Sequence, residues 1–172
     1  MGILAVLALY GVRKYIANAK TAEARNSLGQ LAKDQSAQFE KESMQSAVLP
    51  QGSVAANSRG LCATEPGGNI PAVAQVAGKK YQSSAADWNA GALTNPPSGF
   101  ACLSFTMDAP QYYSYSFLSS GTTGASGDSF TGSANGDLNG DTILSTFSIT
   151  GSINSNFILN IAPNMLEVMP EE

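Results

Sequence analysis

Histidine is absent from the 172-residue chain, and with it goes the side chain that most general acid-base schemes and most zinc sites depend on. No Gly-x-Ser-x-Gly elbow occurs, and the usual triad cannot form without histidine. Charge is also scarce, at 13% of residues for a net charge of -4. Basic charge is missing from the whole second half: all nine Lys and Arg lie between Arg13 and Lys80, and from Tyr81 onward only Asp and Glu remain. Nucleic-acid binding needs a clustered basic face to neutralise phosphates, so no nucleic-acid recognition is expected. Every lysine falls in the helical or irregular part, which leaves Ser-Lys catalysis without a site. We therefore expect no catalytic residues and no enzyme.

Cysteine is limited to Cys62 and Cys102, too far apart for a CxxC redox or metal pair. A structural disulfide is the natural reading of such a pair in a small secreted domain, with two buried free thiols as the alternative. No apolar run reaches the roughly 20 residues that span a bilayer. The longest, Met1 to Leu9, runs directly into Arg13 and Lys14 without the basic start and small-residue cleavage site of a signal peptide. It reads as the end of a membrane helix that begins further upstream.

What is present divides the chain in three. Residues 1–45 contain no proline and favour Ala, Leu, Glu, Lys, Arg and Gln, which predicts one long helix with an apolar half over 1–16 and an amphipathic half over 17–45. In the second half Ala17, Thr21, Ala24, Leu28, Leu31, Gln35 and Phe39 recur at spacings of three and four, a narrow stripe that must dock on something. No other segment has comparable helical periodicity, so that partner is a sheet or further copies of the helix. Residues 46–99, rich in Gly, Ala, Ser, Asn and Pro, read as an irregular connection. From Phe100 the period changes to two, with strands expected at Phe100–Met107, Gln111–Leu118, Thr142–Thr150 and Asn156–Ile161, and a polar variable loop at 119–141. The expected class is α+β: a long N-terminal helix packed on a C-terminal antiparallel sheet of about four strands.

That order, and the run GILAVLALYGVRKYIANAKTAEARNSLGQLAK from Gly2 to Lys33, resembles the type IV pilins. Gly2 to Lys33 looks like the part of the pilin helix that follows the family's opening apolar stretch, and it is especially similar to pilins of myxobacteria and related deltaproteobacterial groups, as is GDLNGDTILSTF from Gly136 to Phe147. The family's own start, opening with Phe and holding a Glu, is expected just upstream of Gly2. Tyr10 stands where many pilins carry a helix-interrupting proline. The resemblance implies a precursor held in the inner membrane, handed to the pilus assembly machinery and polymerised into a helical homo-oligomeric filament on the bacterial cell surface, for motility or adhesion. It implies that Ile3, Leu4, Val6, Leu7, Leu9, Val12 and Ile16 are the assembly surface, while Ala24, Leu28, Leu31 and Phe39 pack the helix on the sheet. A type II secretion pseudopilin shares the helix, and a membrane-anchored adhesin or carbohydrate-binding module is the reading from another class.

Two further motifs call for chemistry. Asn135, Asp137, Asn139 and Asp141 put four oxygen-bearing side chains at alternate positions of a Gly-containing loop, which suits calcium, although no Asp or Glu stands near Thr146 or Ser148 to complete an EF-hand. An Asn-Gly/Asp-Gly turn joining two strands uses the same residues. No other cofactor is implied. Tyr112, Tyr113, Tyr115 and Phe117 are either a carbohydrate-binding strand or sheet core, and alternating aromatics are more often core.

Overall fold

The computed structural model describes residues 2–41, 51–52 and 59–170, with the backbone alone at 2–6, 9 and 13. Helix α1, Gly2–Glu40, is a single helix of 39 residues, about 58 Å long at about 1.5 Å per residue. Residues 42–45, the expected end of the helix, lie outside the described residues. Strands β1 (Ser114–Ser120), β2 (Ser129–Gly136) and β3 (Ser145–Ile153) form an antiparallel meander. The far edge of β3 carries two short strands at different heights, β4 (Leu159–Ile161) and β5 (Leu166–Val168). The α+β layout is as expected, with five strands in place of about four.

The stripe on α1 supplies the helix side of the core. Thr21, Ala24, Leu28, Leu31, Gln35 and Phe39 are all buried. They meet the sheet face formed by Tyr113, Tyr115, Phe117, Phe130, Ala134, Phe147, Ile149 and Ile153. At Gly132 helix and sheet are in close contact: an added Cβ would stand 2.8 Å from Leu31 Cδ2. Small residues in β2 are what let the leucines of α1 lie flat on the sheet.

Two expectations are corrected. Residues 119–141 are not simply a polar loop, because β2 occupies Ser129–Gly136 and pairs on both edges. Its inward residues are Phe130, Gly132, Ala134 and Gly136, so the period-two burial is real but carried mostly by groups with little hydrophobicity. Phe100–Met107 is not a strand: Gly99–Leu103 is a short helix, α3, closed by Ser104 in the left-handed region at φ 58°. Phe100 and Leu103 then share one face of α3, and both are buried.

Residues 59–99 are more ordered than their composition suggests. They contain the four-residue helix α2 (Val73–Val76) and a 3₁₀ segment, Asp87–Leu93, that buries Trp88 against Phe100 and Phe105. Ile70 exchanges both backbone hydrogen bonds with Tyr115, and Glu65 N–H donates to Phe117 O, so this segment covers the free edge of β1. The buried Glu65 carboxylate accepts from the N–H groups of Gly67 (2.9 Å) and Phe100 (2.8 Å), fastening the segment to the start of α3.

Candidate assembly surface

The two halves of α1 differ in what they touch. Beyond Thr21 one stripe is buried; before it the described side chains stand in solvent, with Leu7 62%, Tyr10 66% and Tyr15 75% exposed, and Val12 and Ile16 exposed as well. At about 100° per residue these five lie at roughly 0°, 300°, 80°, 140° and 180° around the axis, so apolar groups cover about 240° of it, with Lys20 and Arg13 at about 220° and 240° in the remainder. An apolar surface that wide is ordinarily covered by something. Of the expected assembly residues, Leu7, Val12 and Ile16 are thus exposed; the side chains of Ile3, Leu4, Val6 and Leu9 lie outside the described residues. Ala24, Leu28, Leu31 and Phe39 are buried in one core cluster with the sheet residues. No helix among the described residues is long and apolar enough to cross a membrane.

Where the bare half begins, a set of polar contacts clamps α1 to the sheet. Glu23 Oε1 accepts from Tyr112 N–H (2.9 Å) and from the Tyr115 hydroxyl (3.2 Å). The ammonium groups of Lys20 and Lys80 lie 4.7 and 4.5 Å from the centre of the Tyr112 ring, within cation-π range. One turn further on, Arg25 makes a bidentate pair with Glu167 of β5 (2.8 and 2.9 Å). That pair is partly exposed, so its contribution to stability is small. It still holds the Glu167 carboxyl below the ordinary value. Glu23 and the two lysines carry no hydropathy signal; the neighbouring buried positions Thr21 and Ala24 mark Glu23 and Lys20 as lying at the edge of the stripe, and nothing in the sequence marks Lys80.

Burial pushes the Glu23 carboxyl above its ordinary pKa, against the opposing pull of the Tyr112 and Tyr115 hydrogen bonds and of Lys80. The native state therefore keeps this proton to higher pH than the unfolded chain does. Its contribution favours folding most at low pH and is lost as pH rises from the unfolded value through the raised native one. Glu23→Gln keeps an acceptor and cannot titrate. Urea midpoints measured from mildly acidic to neutral pH should show wild type losing stability relative to this variant as pH rises; parallel curves would refute the assignment.

The remaining expected sites resolve as follows. Cys62 and Cys102 form a disulfide with Cα atoms 5.9 Å apart, and Cys62 N–H donates to Gln35 Oε1 of α1. Tyr113, Tyr115 and Phe117 are fully buried, so the aromatic strand is sheet core and not a carbohydrate platform. In the loop after β2, Asp137 accepts from Gly140 N–H and Thr142 N–H, and Asp141 from Ile143 N–H and the Asn139 amide. Asn139 Oδ1 accepts from Asp141 N–H, and Asn135, still within β2, accepts from the Thr146 hydroxyl. The four residues are thus engaged with the turn and the ladder. Among the described residues no group of three or more His, Cys, Asp or Glu is arranged to hold a metal ion. No family model, curated protein or solved structure matches the chain.

Proposed function

We propose that the chain is a structural subunit of a type IV pilus-like filament on the bacterial cell surface, polymerising through the first half of α1. One observation carries this reading: a helix continuous with a folded domain extends beyond it and exposes apolar side chains over most of its circumference. Each Leu, Val or Ile buried there contributes about 1.5–3 kcal/mol, and copies of the same helix supply a matching surface of close-packed apolar groups. The sheet domain, whose outward strand positions are dominated by Ser and Thr, forms the coat.

The test is made in the cells that produce the protein, with the substitution Ile16→Asp introduced at its own locus. A carboxylate buried between packed apolar helices costs several kcal/mol, so surface filaments containing this chain should fall by roughly an order of magnitude or more in sheared fractions viewed by electron microscopy. Ile16 is exposed and no part of the core, so the sheet domain should keep its melting temperature. Filaments unchanged by the substitution, or wild-type protein found only as monomers at the membrane, would overturn the proposal; the second result favours an anchored adhesin.

A further inference from the structure

The chain contains two Asn-Gly pairs, Asn135–Gly136 and Asn139–Gly140. They lie four residues apart in very different surroundings. We infer that Asn139–Gly140 is a self-modifying site: the folded loop converts Asn139 to a carboxylate through a cyclic imide, and the fold prevents Asn135 from doing the same. This inference does not depend on the filament reading.

The chemistry needs a nucleophilic backbone nitrogen, an electrophilic side-chain carbonyl beside it, a proton acceptor and a donor for the developing oxyanion. The loop assembles all four. The nucleophile is Gly140 N, and its proton already points at Asp137 Oδ1, 2.6 Å away. Removing the proton leaves the nucleophilic pair in the peptide plane, along the direction of Asp137 Oδ1, so ring closure follows a rotation of the Gly140 peptide that turns this pair toward Asn139 Cγ. The electrophile is Asn139 Cγ. Its Oδ1 accepts from Asp141 N–H at 2.9 Å, which folds the side chain back over the Gly140 peptide and leaves a donor on the oxygen where negative charge develops. The departing Nδ2 is held by Asp141 Oδ2 at 3.1 Å. Gly140 has φ +82° and no side chain to shield its nitrogen.

The atoms balance. Gly140 N bonds to Asn139 Cγ, Asp137 takes the amide proton, Nδ2 takes a proton from water, and the Cγ–Nδ2 bond breaks to release ammonia; the hydroxide so formed is neutralised by the proton on Asp137. Water then opens the imide to aspartate or isoaspartate. Nothing is oxidised or reduced.

Asn135 lacks this arrangement. It sits in β2, paired with Thr146 of β3, and its Oδ1 is taken by the Thr146 hydroxyl. An extended strand sends the side chain out of the sheet while the next peptide nitrogen stays in it. Reaching Gly136 N would need a backbone rotation, and Gly136 is packed against Tyr113: a Cβ there would stand 2.6 Å from the ring.

The new charge would fall in a particular place. Asn139 lines an open cleft of about 540 Å³ between the loop and α1, and the charged residues lining it are Lys14 and Lys20. Tyr10 and Ile16 of the bare half border the same cleft. A carboxylate at 139 would thus face these lysines across the cleft while losing the amide's hydrogen bond to Asp141, beside the exposed apolar surface.

The two pairs calibrate each other. In the urea-unfolded chain both are Asn-Gly and should convert at similar rates; chymotryptic cleavage after Leu138 separates them for mass spectrometry. In the native protein at mildly alkaline pH, Asn139 should convert at least as fast as in urea, while Asn135 slows by roughly tenfold or more. Asp137→Asn keeps an acceptor but not a base and should slow native Asn139; if that variant does not fold, the wild-type comparison still decides. Folding that slows Asn139 as much as Asn135 would overturn the inference.

Discussion

Trp88→Ala is expected to lower the stability of the domain by about 3–5 kcal/mol, the range for removing a buried Phe or Trp. The ring is fully buried. It meets Phe100 and Phe105 edge-on, with centroids 5.1 and 5.5 Å away, and lies 6.3 Å from Tyr115 at the base of the sheet. It is thus the point where the 3₁₀ segment, α3 and β1 share a core, and alanine would leave a cavity that three separately anchored elements cannot collapse to fill. For a chain of this size the melting temperature should fall by about 10–15 °C. Trp88→Phe is the informative control. The indole Nε1 is buried with no hydrogen-bond partner among the described residues, so phenylalanine removes a costly orphan donor as it removes volume, and the two effects oppose each other. The Phe variant should fall within about 1 kcal/mol of wild type. If Phe is as damaging as Ala, the Nε1 group has a role in holding the segment that its surroundings do not reveal.

The second half of α1 was legible because its buried residues recur at helical spacing and nothing else in the chain competes for them. Thr21 and Gln35 belong to that stripe despite being polar, and position alone assigned them correctly. In β3 the alternation of Phe147 and Ile149 with Thr146 and Ser148 was equally plain. β2 was missed for a physical reason: its inward groups at Gly132, Ala134 and Gly136 are small because Leu28, Leu31 and Tyr113 press on them, so steric fit replaced hydropathy as the signal. The helix at Gly99–Leu103 depends on Glu65, 35 residues away, whose carboxylate takes the Phe100 N–H. A local pattern cannot report such a tertiary partner. At the candidate site the exposed apolar residues could be read directly, whereas the Glu23, Lys20 and Lys80 clamp around Tyr112 required the fold to bring positions 20, 23, 80 and 112 together.

Replacing Cys62 and Cys102 by alanine should cost about 4 kcal/mol, the chain-entropy value for closing a loop of about forty residues. That is a large part of the 5–15 kcal/mol available to a typical domain. The closed loop, with its sequence separation of 40, contains the whole Glu65–Ile70 edge cover, α2 and the 3₁₀ segment. The sheet and α1 make their contacts outside it. Loss of the crosslink should therefore act unevenly. In the oxidised protein the indole emission of Trp88 and the far-ultraviolet signal of helix and sheet should change together as denaturant is added, as one cooperative unit. In the alanine pair the loop has entropy to gain by leaving, and it is held by the ring contacts of Trp88 and by hydrogen bonds to the rest of the domain: two backbone bonds between Ile70 and Tyr115, two between Tyr81 and Gln111, one from Glu65 to Phe117 and one from Gly78 to Asp137. Trp88 emission should then shift at lower denaturant than the far-ultraviolet signal, marking local release of the loop before the sheet melts. Coincident transitions in the alanine pair would mean that the aromatic contacts of Trp88, and not the crosslink, couple this segment to the core.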